Sequence, residues 1–352
     1  MSVVSPLPPL LSLTPAELSE RLESPVRARR LWRHLREGRK PSAEALQGER
    51  IFKLLQERVS LVELPVVSRS ASSCQTRKLL LELHDGHQIE TVIIPGVSRS
   101  TLCVSSQVGC VRGCTFCMTA TMGILRNLTV EEIVGQVYAA AREIRESSLP
   151  PLRNIVYMGM GEPLDNSAAM RKSVEILLDR DAFQLSARHV TVSTVGTTPH
   201  KIRSLRELRA RLAWSVHAVD DGLRKRLVPT TKHPMTELRE AFVEVMAEKK
   251  DALMVELTLM QGVNDREEDA RRLAEFLKPF VHGVRVNLIP MNPGREGLSP
   301  SQESRMERFA EIVQEGGHYC CLRRERGQDS KAACGQLAVE HANAGRKHAT
   351  KQ

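Results

Sequence analysis

The chain has 352 residues, 41% hydrophobic and 26% charged, enough for one large domain with an appendage, or for two domains, around a sizeable core. No apolar run approaches the roughly 18–20 residues of a membrane helix, and the opening MSVVSPLPPLLSL lacks the basic start of a secretory signal, so a cytoplasmic protein with no membrane partner is expected. Fifty-one Lys plus Arg against 42 Asp plus Glu leave +9, which suits a polyanionic partner, while 3% aromatics argue against a groove that stacks bases.

In chain order, Thr14-Pro15-Ala16-Glu17 reads as a helix start with a capping box. The helical pattern breaks near Pro25 and resumes through Leu31 and Leu35. Residues 27–40 carry Arg27, Arg29, Arg30, Arg33, Arg36, Arg39 and Lys40. This run is either a solvated helix face or a phosphate-contacting surface. A helix near 50–60 follows, then strands at 77–84 and 88–94 joined by His84-Asp85-Gly86-His87, a hairpin signal. A boundary is drawn at Pro95-Gly96, giving an accessory α+β domain over 1–95.

From 96 the pattern alternates. Apolar strands are expected at 100–105, 153–158, 189–194, 211–217, 254–260 and 283–289. Helices fall near 129–146, 166–180, 199–208, 236–249, 265–278 and 300–316, with Thr129 and Thr236 marking two of their starts. Six βα units imply an α/β fold with a parallel sheet that closes partly into a TIM-like (βα)6 barrel over 96–329. In such a barrel the site lies at the carboxyl ends of the strands. Residues 330–352 form a C-terminal segment ending in a polar, basic tail.

Eight cysteines in such a chain point to metal or redox chemistry. Cys103, Cys110, Cys114 and Cys117 fall within 15 residues, and the last three form C-x3-C-x2-C just after the first barrel strand. Three thiolates at this spacing can wrap an iron–sulfur cube, with Gly109 and Gly113 letting the backbone turn around it. A cube held by three cysteines keeps one iron open to a substrate. Zinc fits less well: a structural site wants four ligands, commonly two C-x2-C pairs, and no second pair follows.

The triplet with Phe116 before its last cysteine resembles the radical S-adenosylmethionine superfamily. CVSSQVGC, RNLTVEEIVGQV, GMGEPL at 159–164, VTVSTVG at 190–196, WSVH at 214–217, NLIPMNP at 287–293 and AACGQLA at 332–338 resemble, more narrowly, the ribosomal RNA adenine methyltransferases of the RlmN/Cfr family. The likeness covers nearly the whole chain. It implies that Cys110, Cys114 and Cys117 hold a [4Fe-4S] cluster whose open iron chelates S-adenosyl-L-methionine. It also implies that Gly161, Glu162, Ser193, Ser215, Val216, His217 and Asn292 contact that molecule.

The resemblance further implies how an electron-poor adenine carbon is methylated. Cys334 takes a methyl group from one S-adenosylmethionine. A 5′-deoxyadenosyl radical made from a second removes a hydrogen from the methylthioether, and the carbon radical adds to the base. Cys103 then attacks the Cys334 sulfur, releasing product and leaving a disulfide; Glu90 is the implied proton acceptor. The implied substrate is an adenine of 23S ribosomal RNA and, for some members, of tRNA. Carbon 2 is favoured over carbon 8, with a reductant such as flavodoxin or ferredoxin and a monomeric enzyme. A radical enzyme acting on another substrate is the alternative. Phosphate contacts are expected from the basic run, Arg323, Arg324, Arg326, Arg346, Lys347 and Lys351. No role attaches to Cys74, and Cys320 and Cys321 are assigned to packing. RRERGQDSKAACGQL before and around Cys334, SCQTRK at 73–78 and PTTKH at 229–233 depart from the common carbon-2 pattern, leaving the RNA target and methylated position open.

Overall fold

The structure, a computed structural model, describes residues 7–292, 297–323, 327 and 329–338. Pro293, Arg324, Arg326 and the basic tail lie outside them.

Four helices open the chain: α1 (Pro15–Leu22), α2 (Pro25–Arg36), α3 (Ala43–Leu46) and α4 (Glu49–Arg58). Thr14 caps α1 with the expected box, accepting from Glu17 N at 3.2 Å while Glu17 accepts from Thr14 N at 2.7 Å. Leu18, Leu22, Leu31 and Leu35 recur on the buried faces of α1 and α2 and carry them into the core.

Three antiparallel strands follow, β1 (Val66–Ala71), β2 (Arg77–Glu82) and β3 (Gln88–Pro95), and β3 pairs antiparallel with β4 (Ser100–Cys103). The short hairpin β5 (Gln107–Gly109) and β6 (Ile124–Asn127) stands apart as its own sheet. Then come α5 (Val130–Glu146), β7 (Leu152–Tyr157), α6 (Ser167–Leu178), β8 (Val190–Thr194), α7 (Pro199–Arg203), β9 (Arg211–Ser215), α8 (Asp221–Leu227) and α9 (Met235–Lys249). The remaining elements are β10 (Leu253–Leu259), α10 (Glu267–Leu277), β11 (Val284–Pro290), α11 (Glu303–Glu315) and β12 (Tyr319–Leu322).

The ten-stranded sheet runs β1-β2-β3-β4-β7-β8-β9-β10-β11-β12, and every pairing from β4 to β12 is parallel. All six expected barrel strands are present, and β12 adds a seventh that the sequence reading did not mark. The partial barrel therefore stands. The sheet continues through the expected boundary at Pro95-Gly96 without a break, because β3 and β4 are hydrogen-bonded neighbours. Thr129 forms the expected capping box with Glu132. Thr236 does not start its helix: Pro234 occupies the cap of α9, and Thr236 lies one residue inside.

The barrel wall is held by layered burial. All of β8 is buried, as a strand covered on both faces must be. Trp214 on β9 stacks on Phe242 of α9, with ring centroids 4.6 Å apart, and meets Phe276 of α10 at 5.8 Å. The N-terminal helices dock on the same core: Trp32 packs edge-on against Phe183 at 5.6 Å, and Arg36 donates to the Ala182 carbonyl at 3.2 Å.

Candidate active site

A cavity of about 610 Å³ opens at the carboxyl ends of the barrel strands. Cys103, Cys110, Cys114, Cys117 and Cys334 line it together with Gly161, Glu162, Ser193, Ser215, His217 and Asn292. Val216 is fully buried and absent from the lining, as is Glu90.

The cysteine loop is built by local hydrogen bonds. Gly109 has φ +80°, and a Cβ there would lie 1.9 Å from the Gly123 carbonyl oxygen, so only glycine permits the β5–β6 hairpin to close. Cys110 N donates to Gly123 O at 2.7 Å, and Arg112 N approaches Cys110 Sγ at 3.4 Å. Arg126 on β6 forms paired 2.8 Å bonds to Glu132, fastening the hairpin to the first turn of α5. Across the loop, Thr115 N donates to Leu227 O at 3.0 Å, and Thr230 donates to Arg112 O at 3.0 Å.

Burial pushes the Cys110 thiol up to about 12 and Cys114 higher still, and the neighbouring cysteines of the triplet add to both shifts. Such thiols need a cationic partner to ionise. Arg224 supplies positive charge: it is fully buried, donates to the carbonyls of Ser215 (2.9 Å), Val216 (2.5 Å) and Val195, and its field acts on both Cys114 and Glu162. Among the described residues, no three His, Cys, Asp or Glu converge on one ion position. Three thiols on one loop, a shared cavity and a buried cation fit a cluster.

Glu162, 3% exposed, follows β7. Its carboxylate accepts from Leu164 N at 3.0 Å and Val195 N at 2.9 Å, and burial raises its pKa. Gly161 has φ +97°, and a Cβ there would lie 2.6 Å from the Gln107 side chain. The glycine thus makes room for Gln107, which accepts from Glu162 N at 2.8 Å and donates to Asn127 at 2.7 Å. Ser193 and Ser215, on adjacent strands, approach within 3.2 Å through their hydroxyls. His217 Nδ1 accepts the Thr258 amide hydrogen at 3.1 Å, so Nε2 carries the proton of the neutral ring. Burial and then the Arg224 charge hold its pKa well below 6.5, and its ring lies 4.6 Å from that of Phe116. Asn292 donates to the Cys334 carbonyl at 3.0 Å, while its Oδ1 is buried with no partner among the described residues. An unsatisfied acceptor facing this cavity fits a ligand with N–H donors.

Cys334 arrives from the far end of the chain. Met118 N donates to Gly335 O at 2.8 Å and Thr119 donates to Leu337 O at 2.6 Å, so the C-terminal loop lies directly on the cysteine loop. Glu90 secures it from beneath: its carboxylate accepts from Ala338 N at 2.9 Å and pairs with Lys78 at 2.7 Å, and Lys78 also reaches the Lys331 carbonyl at 3.2 Å. Cys334 is exposed through the cavity mouth, yet the surrounding protein still lifts its thiol to about 11; burial lifts Cys103 to about 12, and the charge of Cys334 is the next cause of the Cys103 shift. All eight cysteines are free thiols, so the implied Cys103–Cys334 disulfide is not present here.

Sequence reading missed Arg224 and Glu256. Arg224 sits in an Asp-Gly-Leu-Arg-Lys-Arg stretch that looks like surface. Glu256 is the lone acid of an otherwise apolar strand, a signal that was available. Of the vicinal pair, Cys320 is core as assigned; Cys321 instead donates to Asn287 Oδ1 at 3.1 Å.

Comparison with known proteins agrees with this geometry. The sequence model of the Radical SAM superfamily matches residues 104–274. The chain is 43% identical over 285 residues to the dual-specificity RNA methyltransferase RlmN of Desulfotalea psychrophila, covering 78% of this chain and 77% of that one. It is 37% identical over 342 residues to the RlmN of a Jannaschia species, covering 92% and 86%. The crystal structure of a radical SAM methyltransferase from Sphaerobacter thermophilus matches with a TM-score of 0.88 and 38% identity, over 95% of this chain and all of that one. Among the described residues, no helix is long and apolar enough to cross a membrane.

Proposed function

This chain belongs to the RlmN family of radical S-adenosylmethionine RNA methyltransferases, and from that premise we propose that it methylates carbon 2 of an adenine in 23S ribosomal RNA, with tRNA as a second substrate, through a methyl carried on Cys334. One observation carries the reading: a cysteine near the end of the described chain is docked by hydrogen bonds onto the loop that presents Cys110, Cys114 and Cys117, in one cavity with Cys103.

In this reading Cys110, Cys114 and Cys117 hold the [4Fe-4S] cluster. Glu162, Ser193, Ser215, His217 and Asn292 position S-adenosylmethionine. When bound, the pair supplies a low-potential electron, a methyl group and hydrogen-abstracting radical chemistry. The chain's own residues do the rest. Arg224 offsets the negative charge gathered by thiolates and Glu162. Cys103, at the end of β4 and in the same cavity as Cys334, is the proposed partner that closes a disulfide with it and releases the base. Glu90 is the proposed proton acceptor on the RNA adduct and, through Ala338, also holds the carrier loop in place. Residues 1–95 form the RNA-facing accessory region, where the arginines of α2 offer phosphate contacts.

Mass mapping of modified adenines in ribosomal and transfer RNA, from cells with and without the gene, tests this. The wild-type gene should add 2-methyladenine, and Cys334→Ala should remove it entirely. An RNA profile indifferent to the gene overturns the assignment, and 8-methyladenine in its place overturns the carbon-2 position.

A further inference from the structure

Accepting a methyl group obliges the Cys334 sulfur to lose its proton, and three cavity residues besides the cysteines are possible Brønsted bases: Glu162, His217 and Glu256. Two are already committed. Both carboxylate oxygens of Glu162 accept backbone amides, and the one acceptor nitrogen of His217 holds the Thr258 amide.

Glu256 differs. It is 3% exposed and lines the cavity, its Oε1 accepts from Asn287 Nδ2 at 2.8 Å, and its Oε2 makes no hydrogen bond among the described residues. The sheet register explains the placement. Ser215, Glu256, Asn287 and Cys321 are successive partners across β9, β10, β11 and β12, a continuous row of polar side chains with one carboxylate in it. Cys321 donates to Asn287 Oδ1, which fixes the amide so that its NH2 faces Glu256. The row leaves one carboxylate oxygen with no hydrogen-bond partner among the described residues, on a side chain that lines the same cavity as Cys334.

We propose that Glu256 accepts the Cys334 thiol proton as that sulfur is methylated, with Asn287 and Cys321 as positioning residues. The step balances. The S–H pair becomes the new bond to the methyl carbon, and the proton passes to Glu256 Oε2. The old bond from methyl to sulfonium breaks with its electrons on the departing sulfur, giving neutral S-adenosylhomocysteine. Burial raises the carboxyl pKa of Glu256 and so narrows its gap to the thiol. The charge of Glu256 is in turn felt by Cys334. Around the pair stand Arg323 beyond β12, Cys117 from the cysteine loop and Cys103 on β4; Arg323 acts on both members.

The inference rests on the methyl-carrier reading, and the experiment separates the two. Anaerobically reconstituted protein is mixed with S-adenosylmethionine, without RNA or reductant, and the Cys334 peptide is followed by mass. Wild type should gain one methyl group; no gain at all overturns the carrier reading itself. Glu256→Gln keeps the Asn287 contact and should slow methylation about 100-fold near pH 7.5. Its rate should then climb about tenfold per pH unit as the thiol ionises unaided, while wild type changes less. Cys321→Ala should slow the step a few-fold with S-adenosylmethionine affinity unchanged. Equal rates and parallel pH profiles for wild type and Glu256→Gln overturn the assignment. So does loss of iron content or of S-adenosylmethionine binding in that variant, since either would make Glu256 structural.

Discussion

Two cysteine-bearing loops meet over the barrel mouth, and they are held in opposite ways. The cysteine loop is secured largely by its own hairpin, by Gly109, whose place no larger residue can take, and by the paired Arg126–Glu132 bonds to α5. The carrier loop around Cys334 borrows its docking contacts: Met118, Thr119, Lys78, Glu90 and Asn292, from four separate regions, hold its backbone. Each such bond contributes about 1 kcal/mol net. A fixed loop suits a cofactor that stays. A loop docked by a handful of modest bonds suits a sulfur that must first meet the methyl donor and then the RNA base.

The contrast can be broken from either side. The largest effect is expected from Cys114→Ala, which should abolish iron and sulfide binding on anaerobic reconstitution, while the alkylation rate of the exposed Cys334 stays that of wild type. Lys78→Met should do the reverse. It removes the ammonium that serves both Glu90 and the Lys331 carbonyl, so stability in denaturant titration should fall by about 3 kcal/mol. Cys334 should then be alkylated faster, with iron content retained. Iron loss in Lys78→Met, or faster Cys334 alkylation in Cys114→Ala, would show that the loops are one unit.

A smaller effect concerns pH. His217, which touches the cysteine loop through Phe116, is buried neutral with its pKa well below 6.5. Below 6.5 the unfolded chain takes up a proton that the folded chain refuses. This contribution is therefore complete above 6.5 and declines as pH falls through the window beneath it. His217→Asn should lose less melting temperature than wild type between pH 6.5 and about 5; an identical decline would place the acid sensitivity elsewhere.

Much of this was legible in the residues. Buried parallel strands must be short apolar runs, and all six were found within a few residues of their bounds. What escaped was short, polar or at an edge. The outer strand β1 reads VVSRSA and is mostly exposed. The helix α8 hides its key residue among charges, and β12 spans only four residues. At the site, spacing singles out Cys110, Cys114 and Cys117 as one group, and all three line the cavity. Glu256 and Arg224 act across strands and loops, so their neighbours appear only once the register is known. Gly161 was legible as a glycine but for a different reason: the crowding atom belongs to Gln107, a residue of the same chain.

The uninterrupted ladder from β3 into β4 has a mechanical consequence. Hinging the accessory hairpin away from the barrel would mean tearing inter-strand hydrogen bonds, so the front of the molecule behaves as a stiff template. An incoming nucleic acid has to do the bending, and a loop that cannot swing its adenine out to meet a fixed opening is rejected by shape before any base edge is read.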